Sequence, residues 1–302
     1  MQHPLDIGYF KERQDRLPIF SPLAHQLLEL LDDPDLTTGD LRDLVRLDGP
    51  LTMRVINGAN SALFSGLEPA AELAEAIDRL GRRQLRTLII TSTLFDLFPE
   101  DESLFPLVEY WRRAAANGIV GERVADATSL PNPSRAWLFG VVQDVGRLLY
   151  AHQAPEETRL ILQLAREHGL SFDDAASHIT KLTSSELSAW ACAQWKLPQW
   201  LVDLLYAAAA RRARSTTPLP IPGLHEKTAS LIESPFFAIA HVADHICHLH
   251  GISLPGDFQQ RYQIDAHWRK LNLNVDAFVA LYQAAEPSLR DLNEIMQTFS
   301  DR

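Results

Sequence analysis

Apolar residues recur along nearly the whole chain at steps of three and four, and almost nowhere at the strict two-residue alternation of a half-buried strand, so the pattern predicts an all-α fold. Ser21-Pro22 supplies a helix cap and a first-turn proline, after which Leu23, Leu27 and Leu31 fall on one face before Pro34 ends the run. Thr37 and Asp40 read as a capping box for a helix bearing Leu41, Leu44 and Val45, and Asp48-Gly49-Pro50 breaks the chain before a third helix opens at Pro50. The stripe Leu73, Ile77, Leu80 closes at Gly81, where a left-handed cap needs no Cβ, and a mostly apolar helix continues over 82–97. Further helices are predicted over 104–127, 134–150, 156–168 and 184–195, and another to Ala210. Ser234-Pro235 opens one reaching about His250, Asn274 caps one that passes Ala285, and an amphipathic stretch spans 288–299.

Punctuation between these runs suggests an organisation: an N-terminal arm over 1–16, a helical bundle over 17–100, a second bundle over 101–215, a loop over 216–233 and C-terminal helices over 234–302 that pack on the second bundle. The loop is placed by Pro218, Pro220 and Pro222, which cannot donate to a helix or sheet. The architecture expected is therefore two packed helical bundles with a C-terminal helical extension, without an internal repeat.

Composition narrows the function classes. With 46% hydrophobic and 22% charged residues the 302-residue chain is that of a globular protein, and its net charge of −11 repels polyphosphate backbones, which disfavours nucleic acid as a partner. Two basic clusters, Arg82, Arg83, Arg86 and Arg211, Arg212, Arg214, read as solvated helix ends. Cys192 and Cys247 lack the spacing of a disulfide framework or a zinc finger, which fits a reducing compartment. The first twenty residues have no apolar signal core, and no run approaches the roughly 18 apolar residues of a membrane span, so a soluble, cytoplasmic protein without membrane partners is expected.

Several short motifs stand in a specific order: Leu17-Pro18, Leu30-Leu31-Asp32-Asp33-Pro34, Asp48-Gly49-Pro50-Leu51, Asn60-Ser61-Ala62-Leu63-Phe64 and Ala76-Ile77-Asp78-Arg79-Leu80-Gly81. They are followed by Trp111, by Gly140-Val141-Val142-Gln143-Asp144-Val145-Gly146 and by Trp195-Lys196-Leu197-Pro198. Together they cover about two thirds of the chain, which resembles the HDOD family, bacterial relatives of the HD phosphohydrolases. Within the motifs Asn60 and Ser61 also read simply as a helix terminus and Phe64 as core. The resemblance implies signal transduction, and makes 17–100 the N-terminal HDOD bundle and 101–215 the HD-like one.

HD enzymes hold divalent metal with histidines, a consecutive His-Asp pair and a later aspartate, and the metal generates the hydroxide nucleophile. Counted from the motifs, the first histidine position falls on Arg113, a cation that cannot coordinate metal, and the His-Asp pair falls on Gln143-Asp144. The next histidine falls near Ser184 and the paired histidines near Ala208-Ala209. Asp144 remains, with Asp244 in Ala240-His241-Val242-Ala243-Asp244 as the candidate final aspartate. The resemblance with these losses implies a chain that is not an enzyme, carries no cofactor, and uses the degenerate cleft of Arg113, Gln143, Asp144, Arg147, Ser184 and Asp244 to bind a signalling protein or a nucleotide-type ligand. Gln143 and Asp144 also read as an interior polar pair satisfied by its neighbours.

Three other readings bear on this. His241 and His245 lie four apart on one helix face with His248 a turn further, and with Asp144 and Asp244 they offer weak metal candidates for a residual phosphohydrolase. The short helices over 38–60 could pass for a helix-turn-helix beside the arginines at 82–86, which would make a nucleic-acid-binding regulator. A charge argument predicts a guanidinium beside Asp144 in place of the lost cation, with Arg113 favoured over Arg147. Other catalytic patterns, GxSxG, a glycine-rich phosphate loop and HExxH, are absent from the sequence.

Overall fold

In the computed structural model the described residues are 6–60 except 32 and 34, 68–98, 104–212 except 131, 231, 234–257 and 266–300. The fold is all-α, and the described residues contain no β-strand. Ser61, Phe64, the prolines at 218, 220 and 222, Arg214 and the side chains of Arg83, Arg211 and Arg212 lie outside what is described. The chain forms two compact units, Pro18–Pro99 and a larger one made of Met1–Leu17 with Glu100–Arg302. The first helix, α1 (Ile7–Lys11), thus belongs to the larger unit.

The smaller unit holds α2 (Pro22–Leu30), α3 (Thr38–Val45), α4 (Gly49–Ala59) and α5 (Leu73–Asp96). Its starts follow the local signals: Ser21 Oγ accepts from Ala24 N at 3.4 Å, Thr37 and Asp40 close their capping box, and Asp48 accepts from Leu51 N at 2.8 Å. α5 is two helical runs meeting at Gly81, whose φ of +70° is open to glycine at little cost. Leu27, Val45, Val55, Leu85, Ile89 and Leu94 fill the core between them. Asn60 caps α4 and clamps Ala70 through both backbone groups, accepting from Ala70 N at 2.7 Å and donating to Ala70 O at 3.1 Å.

The larger unit is built around α6 (Leu107–Ala127), followed by α7 (Pro133–Val142), α8 (Val145–Gln153), α9 (Pro155–His168), α10 (Phe172–Ile179), α11 (Ser184–Gln194) and α12 (Gln199–Arg212). The chain then forms α13 (Pro235–Leu249), α14 (Ala266–Lys270) and α15 (Val275–Ser300). α7, α13 and α15 all pack on α6, and α8 packs on α11. α8 approaches α11 so closely that a Cβ on Gly146 would overlap the Ser184 carbonyl, which fixes glycine there.

Three sequence expectations need correction. The helix expected over 134–150 is two helices, because the backbone breaks at Gln143-Asp144, where Ser188 of α11 intervenes: Ser188 Oγ donates to Gln143 O at 2.9 Å and accepts from Gly146 N at 2.8 Å. α1, α10 and α14 were not foreseen; each is short, of five to eight residues. The stretches proposed on either side of 286–287 are one helix, α15, which continues through Pro287.

Candidate functional site

The polar residues of the larger unit converge where α6, α8, α13 and the turn after α13 meet. Arg113 lies in the middle of α6 and is 2% exposed, and Arg147, in the first turn of α8, is 6% exposed. Asp244 projects from α13, and Asp257 closes the turn Leu254-Pro255-Gly256-Asp257. All four are buried, so their charges must be met inside the protein.

They are met by one another. Arg113 is ion-paired through Nη2 with Asp244, and its Nε lies 3.8 Å from Asp257 Oδ2. Arg147 Nη1 donates to Asp257 Oδ1 at 2.7 Å, while its Nε lies 3.6 Å from Asp144 Oδ1, an ionic contact longer than a hydrogen bond. Asp257 Oδ2 also accepts from Leu254 N at 2.9 Å. Three carboxylates thus face two guanidinium groups, and Asp257 is shared between them. Burial alone would raise the Asp257 pKa, but Arg147, Arg113 and the Leu254 amide outweigh it and hold the carboxyl below its ordinary range. Burial likewise opposes the charge on Arg147, and Asp257, Asp144 and Asp173 more than offset it.

The sequence-predicted residues fall partly into this cluster. Arg113, Asp144, Arg147 and Asp244 are in it, but the favoured Arg113–Asp144 pair is corrected: Arg113 takes Asp244 and Asp257, and Arg147 is the guanidinium beside Asp144. Gln143 ends α7 as a buried residue whose carbonyl is held by Ser188. Ser184 is engaged elsewhere, donating to Asp173 Oδ1 through N at 2.7 Å and Oγ at 2.5 Å, while Ser185 Oγ donates to Asp173 Oδ2 at 2.5 Å. Asn60 and Gly81 belong to the other unit, and Trp195 and Pro198 lie at the joint between α11 and α12, so these motif residues shape the fold. Asp257 was missed, since it sits on no periodic face and its partners are remote in sequence; the only local signal is the Pro255-Gly256 turn, with Gly256 at φ +96°.

These residues do not fit a divalent metal. Two obligate cations stand among the carboxylates, Gln143 is a buried amide whose neutral oxygen is a weak ligand, and Ser184 is committed to Asp173. His245 packs against Phe278, ring centroids 5.3 Å apart, and among the described residues no three His, Cys, Asp or Glu side chains gather as metal ligands. Tyr110 and Asn117 flank Arg113 on α6, fully or nearly fully buried; burial first and the Asp144 charge second push the Tyr110 phenol well above its ordinary value.

Comparison with known proteins fits this description. The HDOD domain family matches residues 17–210, and the chain belongs to that family. The chain is similar to an uncharacterized protein of Treponema pallidum (strain Nichols), 20% identical over 195 residues, which is 63% of this chain but only 38% of that protein. Among solved structures, an HDOD domain protein with unknown function from Geobacter sulfurreducens superposes with a TM-score of 0.71 at 18% identity, over 96% of each chain. A candidate phosphohydrolase from Shewanella amazonensis SB2B gives 0.70 at 19% over 96% and 97%. A candidate signal transduction protein from Marinobacter aquaeolei VT8 gives 0.69 at 16% over 99% of this chain and 62% of its own. At these identities the likeness is one of fold alone. Among the described residues no helix is long and apolar enough to cross a membrane.

Proposed function

We propose that this chain is a non-catalytic signal-transduction module of HDOD type, which recognises a partner protein or a small nucleotide-type ligand through the degenerate HD cleft. The observation that carries the reading is the buried pair Arg113 and Arg147 standing among Asp144, Asp244 and Asp257. In an HD enzyme such carboxylates hold a metal that makes hydroxide near neutral pH. Here the positive charge comes from side chains that neither coordinate a substrate oxygen as a Lewis acid nor deprotonate water. Arginine is always charged and offers a planar fork of donors, so it satisfies several carboxylates at once and ties α6, α8, α13 and the 254–257 turn together.

The nucleic-acid reading loses support from the use of Arg82, whose guanidinium donates to Asp33 O at 2.5 Å and Leu36 O at 2.6 Å beyond the end of α2. A turnover assay on cyclic dinucleotides and nucleotides with added manganese tests the proposal. No rate above the protein-free blank is expected. A manganese-dependent rate abolished by Asp144→Asn would contradict it.

A further inference from the structure

The 254–257 turn lies against the start of α10. The backbones of Ser171 and Asp257 form an antiparallel bridge, and a Cβ on Gly256 would sit 3.2 Å from Phe172 Cβ. The Arg147 guanidinium lies over the Phe172 ring, 5.3 Å from its centroid, while donating to Asp257 at 2.7 Å, so one cation holds the turn and the first residue of α10 together. Tyr150 stands one turn beyond Arg147 on the same face of α8 and is held at both ends of α10. Its ring meets Phe172 edge-on with centroids 5.8 Å apart, and its hydroxyl donates to Leu182 O at 2.6 Å, just past the end of that helix. Phe172 and Tyr150 are fully buried, and close-packed interiors do not absorb the movement of one ring without moving the next.

The N-terminal arm rests on the far side of this chain of contacts. α1 has five residues, too few for a helix to be stable by itself, and its one buried side chain, Phe10, meets Tyr150 edge-on with centroids 5.6 Å apart. Tyr9 adds one hydrogen bond, its hydroxyl donating to Gln153 O at 2.9 Å, and most residues between Phe10 and Leu17 are exposed. Docked and free states of the arm are therefore close in free energy, and the placing of Tyr150 sets the balance. Leu17 is followed by Pro18, the first residue of the smaller unit, so the chain itself carries a change at the arm to that unit. We propose that residues 6–17 form a latch whose docking on α8 is coupled, through Phe172 and Tyr150, to the closed state of the Arg147–Asp257 pair. Whatever draws Asp257 away from Arg147 loosens the turn, then α10, then Tyr150, and so releases the arm. The coupling does not depend on what the cleft binds.

Native-state hydrogen exchange on the full chain tests this in both directions, with the amides of α12 as an internal reference for general loosening. Asp257→Asn should speed exchange of the arm amides Glu12 and Arg13, bonded to Gly8 O and Phe10 O, by about fivefold or more relative to that reference. Because coupling is reciprocal, Phe10→Ala should speed exchange at Leu254 and Asp257, whose amides are bonded to Asp257 Oδ2 and Leu254 O. Phe172→Leu keeps an apolar side chain but removes the ring on which the two sites meet, so in that background Asp257→Asn should no longer alter the arm. Arm amides that Asp257→Asn leaves unchanged or moves only in step with α12, or an Asp257→Asn effect that persists in full with Phe172→Leu, would overturn the proposal. If Asp257→Asn does not fold, Phe10→Ala decides: exchange at Leu254 and Asp257 that rises above the reference supports the latch, and exchange that does not rise overturns it.

Discussion

Arg147 donates to Asp257 at 2.7 Å across 110 residues of sequence, joining the start of α8 to the turn after α13. Neither residue can be lost without leaving the other's charge buried, and Asp257 is shared with Arg113. The cluster therefore behaves as a unit, which makes its energetics testable by pairs.

A double-mutant cycle separates the two ways of wiring it. Replacing Arg113 alone by methionine should cost about 3–5 kcal/mol by stranding Asp244, and replacing both by apolar residues should recover most of that. Arg113 and Asp144, which are linked only through Asp257 and Arg147, should couple clearly less than Arg113 and Asp244 in denaturant unfolding. Strong Arg113–Asp144 coupling would put the guanidinium on the wrong carboxylate.

Asp257 makes stability depend on pH in a defined direction. Its folded-state pKa is lowered, so its contribution is fully present above the unfolded value of about 3.9 and is lost as pH falls through the folded value. The Tm of wild type should fall more steeply below about pH 4 than that of Asp257→Asn, which has nothing there to titrate. Parallel curves would mean that Asp257 is not held ionised by the arginines.

Gly146→Ala should destabilise the larger unit by about 1–3 kcal/mol or more, because the added Cβ meets backbone at Ser184 and cannot be relieved by a side-chain rotation. Gly81→Ala meets no atom within 4 Å and should cost only the strain of a positive φ, about 1–2 kcal/mol. Thermal unfolding of the two variants ranks them; a larger loss at Gly81 would contradict the close approach of α8 to α11.

Both thiols should be inert in the folded protein. Cys192 and Cys247 are buried; desolvation raises both, Cys247 to about 11 even with Arg113 beside it drawing the value down. Ellman's reagent at pH 8 should find no rapidly reacting thiol in the native chain and two after denaturation. A fast native thiol would show that one of these sites opens readily.

What could be read from the sequence was local. The caps at Ser21, Thr37 and Asp48 and the break at Gly81 are set by residues within one turn of the feature, so the short-range pattern carries them. The break at Gln143-Asp144 was hidden because its cause, Ser188, lies 45 residues away. Counting from the motifs placed Arg113, Asp144 and Asp244 in one site, yet it paired Arg113 with the wrong carboxylate. Which carboxylate each guanidinium reaches depends on how α6, α8 and α13 cross, and no spacing records that. Asp257 was invisible for the same reason, being fixed by a turn and by partners remote in sequence.

In the proposed reading two guanidinium groups occupy the place of a metal, and elemental analysis of protein purified without chelator or added metal tests this most directly. The prediction is that iron, manganese and zinc are all far below one equivalent per chain, in wild type and Asp144→Asn alike. About one equivalent of any of them in wild type, lost in Asp144→Asn, would show that the carboxylates bind metal despite Arg113 and Arg147 and would contradict the account.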